Sequence, residues 1–176
     1  AAARPEMAAD PHRIVKSFLT EHSALFGHDH TLLEKARVVR DNTAAHNGVR
    51  STTWQQQIAG VPIHRGSFTA HLSRNGELIT LSSELLAKPD DSVPLEQQRT
   101  VMAGAALPIP ALSALSLSAQ NLGTREPAQW QSVSGPEGVE RIQKFSATDW
   151  PTATRVALIW LPMNAETVRL CWRVWM

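Results

Sequence analysis

Trp54-Gln55-Gln56-Gln57-Ile58-Ala59-Gly60-Val61-Pro62-Ile63-His64-Arg65-Gly66-Ser67-Phe68-Thr69-Ala70-His71-Leu72 reads as two polar-faced strands joined by a tight turn at Ala59-Gly60. Val61 and Ile63 point one way, whereas Phe68, Ala70 and Leu72 fall on the opposite parity, so the alternation slips near Gly66. A bulge or sharp bend within two residues of Gly66 restores the register. On either side, Asn47-Gly48 and Asn75-Gly76 are further hairpin signals, and Ala36 to Leu86 becomes a four-stranded antiparallel meander. Upstream, Asp10 and Pro11 suit the start of a helix carrying Ile14, Val15, Phe18, Leu19, Leu25 and Phe26, about four turns long and closed by Gly27 in a left-handed cap.

Downstream the pattern repeats. Residues 89–111 are rich in proline around a modest helical segment and mark a boundary. Ser113 caps a short helix with Leu115, Leu117, Ala119 and Leu122, ending at Gly123. Three strands are expected after it, from Gly138 to Ala147, Thr154 to Leu161 and Glu166 to Trp175. In the last, Val168, Leu170, Trp172, Val174 and Met176 form an inner face, and Thr167, Arg169, Cys171, Arg173 and Trp175 an outer one. The expected fold class is α+β, with two small modules that each pack a helix on an antiparallel sheet in a cystatin-like layout.

Composition narrows the function. With 43% hydrophobic residues, the 176-residue chain supports real cores. Its 17 basic and 16 acidic residues are interleaved and leave a net charge of +1, which argues against nucleic acid as a partner, since a phosphate backbone calls for clustered basic residues. No apolar run approaches the roughly 18 residues of a membrane helix. The start Ala1-Ala2-Ala3-Arg4-Pro5 carries no signal peptide and fits a chain whose signal was removed or that was shortened.

The motifs of catalysis are missing from the sequence. There is no His-Glu-x-x-His, no Gly-x-Ser-x-Gly and no phosphate-binding glycine loop. Cys171, the single cysteine, is expected as a buried, inert thiol in mid-strand. His28-Asp29-His30 reads as a solvated polar loop, and His64 and His71 as surface positions on a strand. No catalytic, metal or cofactor site is expected in this chain. Trp160 and Trp172 are expected in the core, and Trp175 on a surface that another domain covers.

Trp54, Gln56, Gly60, Val61, Ile63 and Gly66 fill an aromatic-x-Gln-x-x-x-Gly-hydrophobic pattern followed by a second glycine. In this the stretch resembles the propeptide module shared by fungalysin-type and thermolysin-type zinc metalloproteases. The helix from Leu112 to Gly123, Trp160-Leu161-Pro162 and Leu170-Cys171-Trp172-Arg173-Val174 are similar to the second propeptide module, PepSY. The phrases around Trp160, Pro162 and Trp172 favour the fungalysin type.

The resemblance implies a flexible 1–10, a first module at 11–88, a linker with a short helix at 89–111 and a PepSY-like module at 112–176 that stops before its last strand. It also implies a function: the non-catalytic propeptide of a secreted zinc metalloprotease, acting as intramolecular chaperone and inhibitor. The partner is then the cognate catalytic domain, the zinc lies in that domain, and the compartment is extracellular or periplasmic. Gln56 ties a neighbouring turn in this reading, and Arg169, Arg173 and Trp175 form the protease-docking surface. The alternative is a free-standing secreted protease inhibitor or protein-binding module acting in trans.

Overall fold

The computed structural model describes residues 10–123, 129–148, 150 and 152–176, so apart from Asp10 the expected flexible tail lies outside the described residues. The chain is α+β, with helices against mainly antiparallel strands, and it divides into two compact units. One holds the residues up to Gln57 together with Arg65–Lys88, and the other holds Ile58–His64 with Pro89–Met176. No helix among the described residues is long and apolar enough to cross a membrane.

The first unit opens with α1 (Arg13–Glu21), α2 (Ser23–Phe26) and α3 (Thr31–Lys35). The single four-turn helix expected here is broken at His22. Thr20 Oγ1 donates to the Lys16 carbonyl, a back-bond that competes with the helix ladder, and Thr20, His22 and Ser23 are weak helix formers. Gly27, at φ +70°, closes α2 in the left-handed conformation that favours glycine. At five residues α3 is too short to show a period, and just before it the Asp29 side chain accepts from the Thr31 N–H in a local turn.

Strands β1 (Arg37–Thr43), β2 (Arg50–Ile58), β3 (Val61–Leu72) and β4 (Leu78–Ser83) then form the expected meander. Along β2 the burial alternates strictly, with Thr52, Trp54 and Gln56 inward. Trp54, Phe68, Ala70 and Leu72 meet Val15, Leu19 and Leu33 in one core, and the Trp54 and Phe68 rings pack edge to face at 5.5 Å. Strand β1 is exposed throughout and carries Arg37, Arg40 and Asp41, charges that discourage pairing with a foreign edge.

The break in β3 falls at Arg65. Burial holds Val61 and Ile63 on one parity and Gly66, Phe68, Ala70 and Leu72 on the other, and Arg65 between them sits at φ +59°. One residue in the left-handed region absorbs the slip that the apolar pattern requires. The Gln55 amide donates to the Gly66 carbonyl at 2.9 Å and so occupies an acceptor beside the irregularity.

The second unit begins with the hairpin tip, where Ala59 (φ +50°) and Gly60 (φ +79°) give a two-residue turn with both central residues left-handed. A Cβ on Gly60 would also stand 3.2 Å from Val139 Cγ1. After a short 3-10 turn (Asp90–Ser92) come α4 (Leu95–Met102) and α5 (Ala111–Asn121). Helix α5 starts directly after Pro110 with no side-chain cap, and Ser113 lies inside it. The burial of Ala111, Leu115 and Ala119 at four-residue spacing sets that start, and Leu117 and Leu122 face solvent.

Among the described residues four strands follow where three were expected: β5 (Gln131–Glu137), β6 (Ile142–Ser146), β7 (Thr154–Pro162) and β8 (Val168–Trp175). The unforeseen β5 contains Gly135 and Pro136 and is exposed along most of its length, so it shows no apolar alternation. Strand β7 is central, antiparallel to β6 and β8, with a parallel bridge between Trp160 and Ile63 of the hairpin tip. Val156, Ala157, Leu158, Ile159 and Trp160 are all buried, the continuous apolar run of a strand covered on both faces.

Candidate functional site

In the first unit, the residues of the aromatic-x-Gln pattern build a clamp. Inward parity on β2 places both Trp54 and Gln56 at no more than 3% exposure. The Gln56 amide faces the backbone of Leu86: Nε2 donates to the Leu86 carbonyl at 2.8 Å, and Oε1 accepts from the Leu86 N–H at 2.9 Å. A buried amide thereby satisfies itself and ties down the segment after β4. Both amide atoms are engaged with the Leu86 backbone.

Beside the clamp lies a charged cluster. His12 packs its ring edge-on against Trp54 at 4.9 Å, Lys16 contacts Asp10 at 2.7 Å, and Arg50 grips Asp41 through two bonds of 2.8 and 2.6 Å while also donating to the Pro11 carbonyl. The Arg50 hydrogen bonds hold the Asp41 carboxyl below the usual carboxylate range. At Asp10, burial works in the opposite direction, yet the bonds from Lys16 and the His12 N–H outweigh it, and its pKa is lowered too. His12 is lowered by burial and then by the nearby Arg50.

All three shifts have the same sign in linkage, since each group binds fewer protons folded than unfolded. The His12 contribution is present above about pH 6.5 and the carboxylate contributions above about pH 4, and each fades as the pH falls toward the lowered folded value. Acidification should therefore weaken the first unit in two steps. Asp41→Asn should remove part of the lower step and cost about 1 kcal/mol or less at neutral pH, as befits a partly exposed pair. Urea unfolding from pH 7 to pH 3 checks this, and an acid-insensitive wild type would refute it.

The histidine loop is not simply solvated. His28 is 8% exposed, with Nδ1 3.2 Å from the Asp29 carbonyl and Nε2 2.9 Å from Ser83 Oγ. His30 engages Thr20 Oγ1 at 2.9 Å. His71 is half-buried against Ser51 Oγ, and His64 is also half-buried. Among the described residues no group of three or more His, Cys, Asp or Glu side chains is placed to hold a metal ion.

In the second unit the outer face of β8 carries the three residues expected to dock a partner. Arg173 and Trp175 are together, with the guanidinium 4.6 Å from the ring centroid. Arg169, opposite Leu161, is four residues from Arg173 and six from Trp175, roughly 13 and 20 Å along the strand, and belongs to a different patch. Arg155 takes its place: it pairs with Trp175 across the ladder and lies 4.7 Å from the same ring. Trp175 is thus an indole, 36% exposed, flanked by two exposed guanidinium groups. Arg155 was missed because only the β7–β8 register puts it there.

The inner face departs from expectation at two positions, and the first is Met176, which lies beyond the end of β8 and is exposed. Trp160 is fully buried, but Trp172 is half-buried at the margin of the cluster of Ala111, Leu115, Phe145 and Val156, and its Nε1 donates to the Ile109 carbonyl at 2.8 Å. The reason is that, among the described residues, β8 is paired only on its β7 side. Cys171 is likewise half-buried instead of fully enclosed, and desolvation raises its pKa, which keeps the thiol protonated and slow to react. Pro162, last in β7, pairs with Val168.

Residues 34–85 match the family model described as the Fungalysin/Thermolysin Propeptide Motif, a stretch covering less than a third of the chain. It takes in β1 to β4 and the Trp54 and Gln56 positions. The curated proteins contain no match to this chain.

Proposed function

We propose that this chain is the non-catalytic propeptide of a secreted zinc metalloprotease precursor, acting as folding template and inhibitor of the catalytic domain. The observation that carries the reading is the propeptide motif over residues 34–85, whose Gln56 clamp and Trp54 core belong to a folded scaffold and not to a reaction centre. Template and inhibitor are one physical task. A surface that binds the native protease and not its unfolded chain stabilises the fold by linkage, and when it covers the cleft it also blocks substrate.

The zinc belongs to the catalytic domain, and the compartment is extracellular or periplasmic. The fungalysin type is favoured over the thermolysin type on the resemblance of the segments around Trp160-Leu161-Pro162 and Trp172-Arg173-Val174 to a PepSY module. The docking surface is the outer face of β7 and β8, where Arg155, Arg173 and Trp175 form one patch and Arg169 a second.

Refolding supplies the test. A denatured fungalysin-type catalytic domain should regain activity in higher yield with this chain present, and the folded enzyme should be inhibited by it. Trp175→Ala should weaken that complex by about 2 kcal/mol, the usual size for an aromatic anchor. The same change should leave this chain's own stability within about 1 kcal/mol, because the ring is partly exposed and loses only two cation–π contacts. An unchanged refolding yield with either protease type, and no inhibition, would overturn the proposal.

A further inference from the structure

We propose that the groove along the outer edge of β8 takes an extended peptide in which apolar and acidic residues alternate, bound as an added strand. The inference rests on the second unit alone and does not depend on the propeptide reading. A cavity of about 680 Å³ is bounded by α4, α5, the loop before α5 and β8. Its floor and walls include Leu107, Ile109, Leu117, Leu158, Leu170 and Trp172, with Arg169 at the strand.

Four consecutive β8 residues, Arg169, Leu170, Cys171 and Trp172, line this cavity. Successive side chains of a strand point to opposite faces, so a space touching all four runs along the strand's edge. That edge is unpaired among the described residues, because β8 has β7 as its neighbour over Arg155–Pro162 and nothing on the other side. It therefore offers a row of backbone N–H and C=O groups next to an apolar pocket, the combination that captures an extended peptide. A compact apolar molecule in the pocket would leave those groups unpaired.

Charge selects among extended partners. Arg169 and Arg173 are exposed on the outward parity, and neither forms an ion pair among the described residues, whereas Glu96 on the opposite wall already faces Arg99 at 3.8 Å. A second copy pairing edge to edge through β8 would bring two such arginine pairs together, and like charges across a ladder are destabilising. A segment with apolar residues toward the pocket and carboxylates on the alternate parity meets both demands.

The test uses the synthetic peptide acetyl-Asp-Val-Asp-Leu-Asp-Val-Asp-amide and the single thiol, Cys171, as reporter. The peptide should slow iodoacetamide modification of Cys171 at least about fivefold at saturation and shift the backbone amide signals of 168–175, with micromolar to submillimolar affinity. Arg169→Glu and Leu117→Gln, both at exposed positions and so expected to keep the wild-type circular dichroism, should each weaken binding about tenfold or more. A peptide N-methylated on alternate amides should not bind, and one with Lys for Asp should bind at least about tenfold less. The proposal is overturned by any of three results: no protection at about 1 mM peptide, equal protection by the N-methylated or lysine peptide, or protection that rises with protein concentration alone as light scattering reports a dimer.

Discussion

Trp160→Ala should destabilise the second unit by about 3 to 5 kcal/mol, the range for removing a fully buried large aromatic. The indole has no solvent exposure and lies on the strand buried on both faces, so its removal deletes apolar contacts and opens a cavity in the core. Its Nε1 also donates to the Ile58 carbonyl at 3.0 Å, and the bridge from Trp160 to Ile63 lies on the same hairpin tip. Alanine therefore removes core volume together with a hydrogen bond to a buried carbonyl. Trp160→Phe separates the two effects, since it keeps most of the apolar area while losing the bond to the Ile58 carbonyl, and should cost about 1 to 3 kcal/mol. Native-state hydrogen exchange of the β7 amides measures both, and a loss below about 1 kcal/mol for alanine would mean that the tip is held by other contacts.

How far the sequence reveals this fold depends on whether a feature leaves a periodic trace. The hairpins of the first unit do, because each strand has one wet face and one dry face, and even the irregularity at Arg65 is visible as a change of apolar parity. Strand β5 leaves none, being exposed and interrupted by Gly135 and Pro136. The break in α1 is also hidden, since Val15, Leu19 and Phe26 share one helical stripe whether or not His22 interrupts it. What marks the end is the backbone at His22, which leaves the helical region at φ −114° and ψ 25°, a local change that hydrophobic patterning does not register.

The candidate surfaces divide in the same way. Outward parity on β8 correctly groups Arg173 with Trp175, but it says nothing about distance along the strand, and so it also admits Arg169. The neighbour that does join them, Arg155, comes from another strand and requires the register. Parity likewise separates inner from outer on β8 without giving the depth of burial. Trp172 and Cys171 are both half-buried because, among the described residues, the strand is paired on one side only.

Gln56→Leu should cost about 2 to 4 kcal/mol in the first unit, more than its modest change in volume implies. The amide makes two hydrogen bonds to Leu86, and leucine would leave the Leu86 N–H and C=O without their partner while adding nothing to replace it. Gln56→Glu is the sharper experiment. A carboxylate still accepts from the Leu86 N–H, but its second oxygen would face the Leu86 carbonyl at a distance where the wild-type Nε2 donates, inside a site only 3% exposed. Both burial and that repulsion disfavour the charged form, so the new carboxyl should titrate well above the ordinary value near 4.3. A group whose folded pKa is raised binds more protons in the fold than out of it, so the variant should gain stability relative to wild type as the pH falls through that raised value. Wild type is expected to move in the opposite direction, because the shifted groups that titrate at or below neutral pH, Asp10, Asp29, Asp41 and His12, all have lowered pKa values, whereas the raised groups, Arg50 and Cys171, titrate above this range. The two urea-unfolding profiles should accordingly converge on acidification from pH 8 to pH 5. Parallel profiles would show that the introduced carboxylate is charged and solvated in the fold, and hence that the clamp opens instead of forcing the proton on.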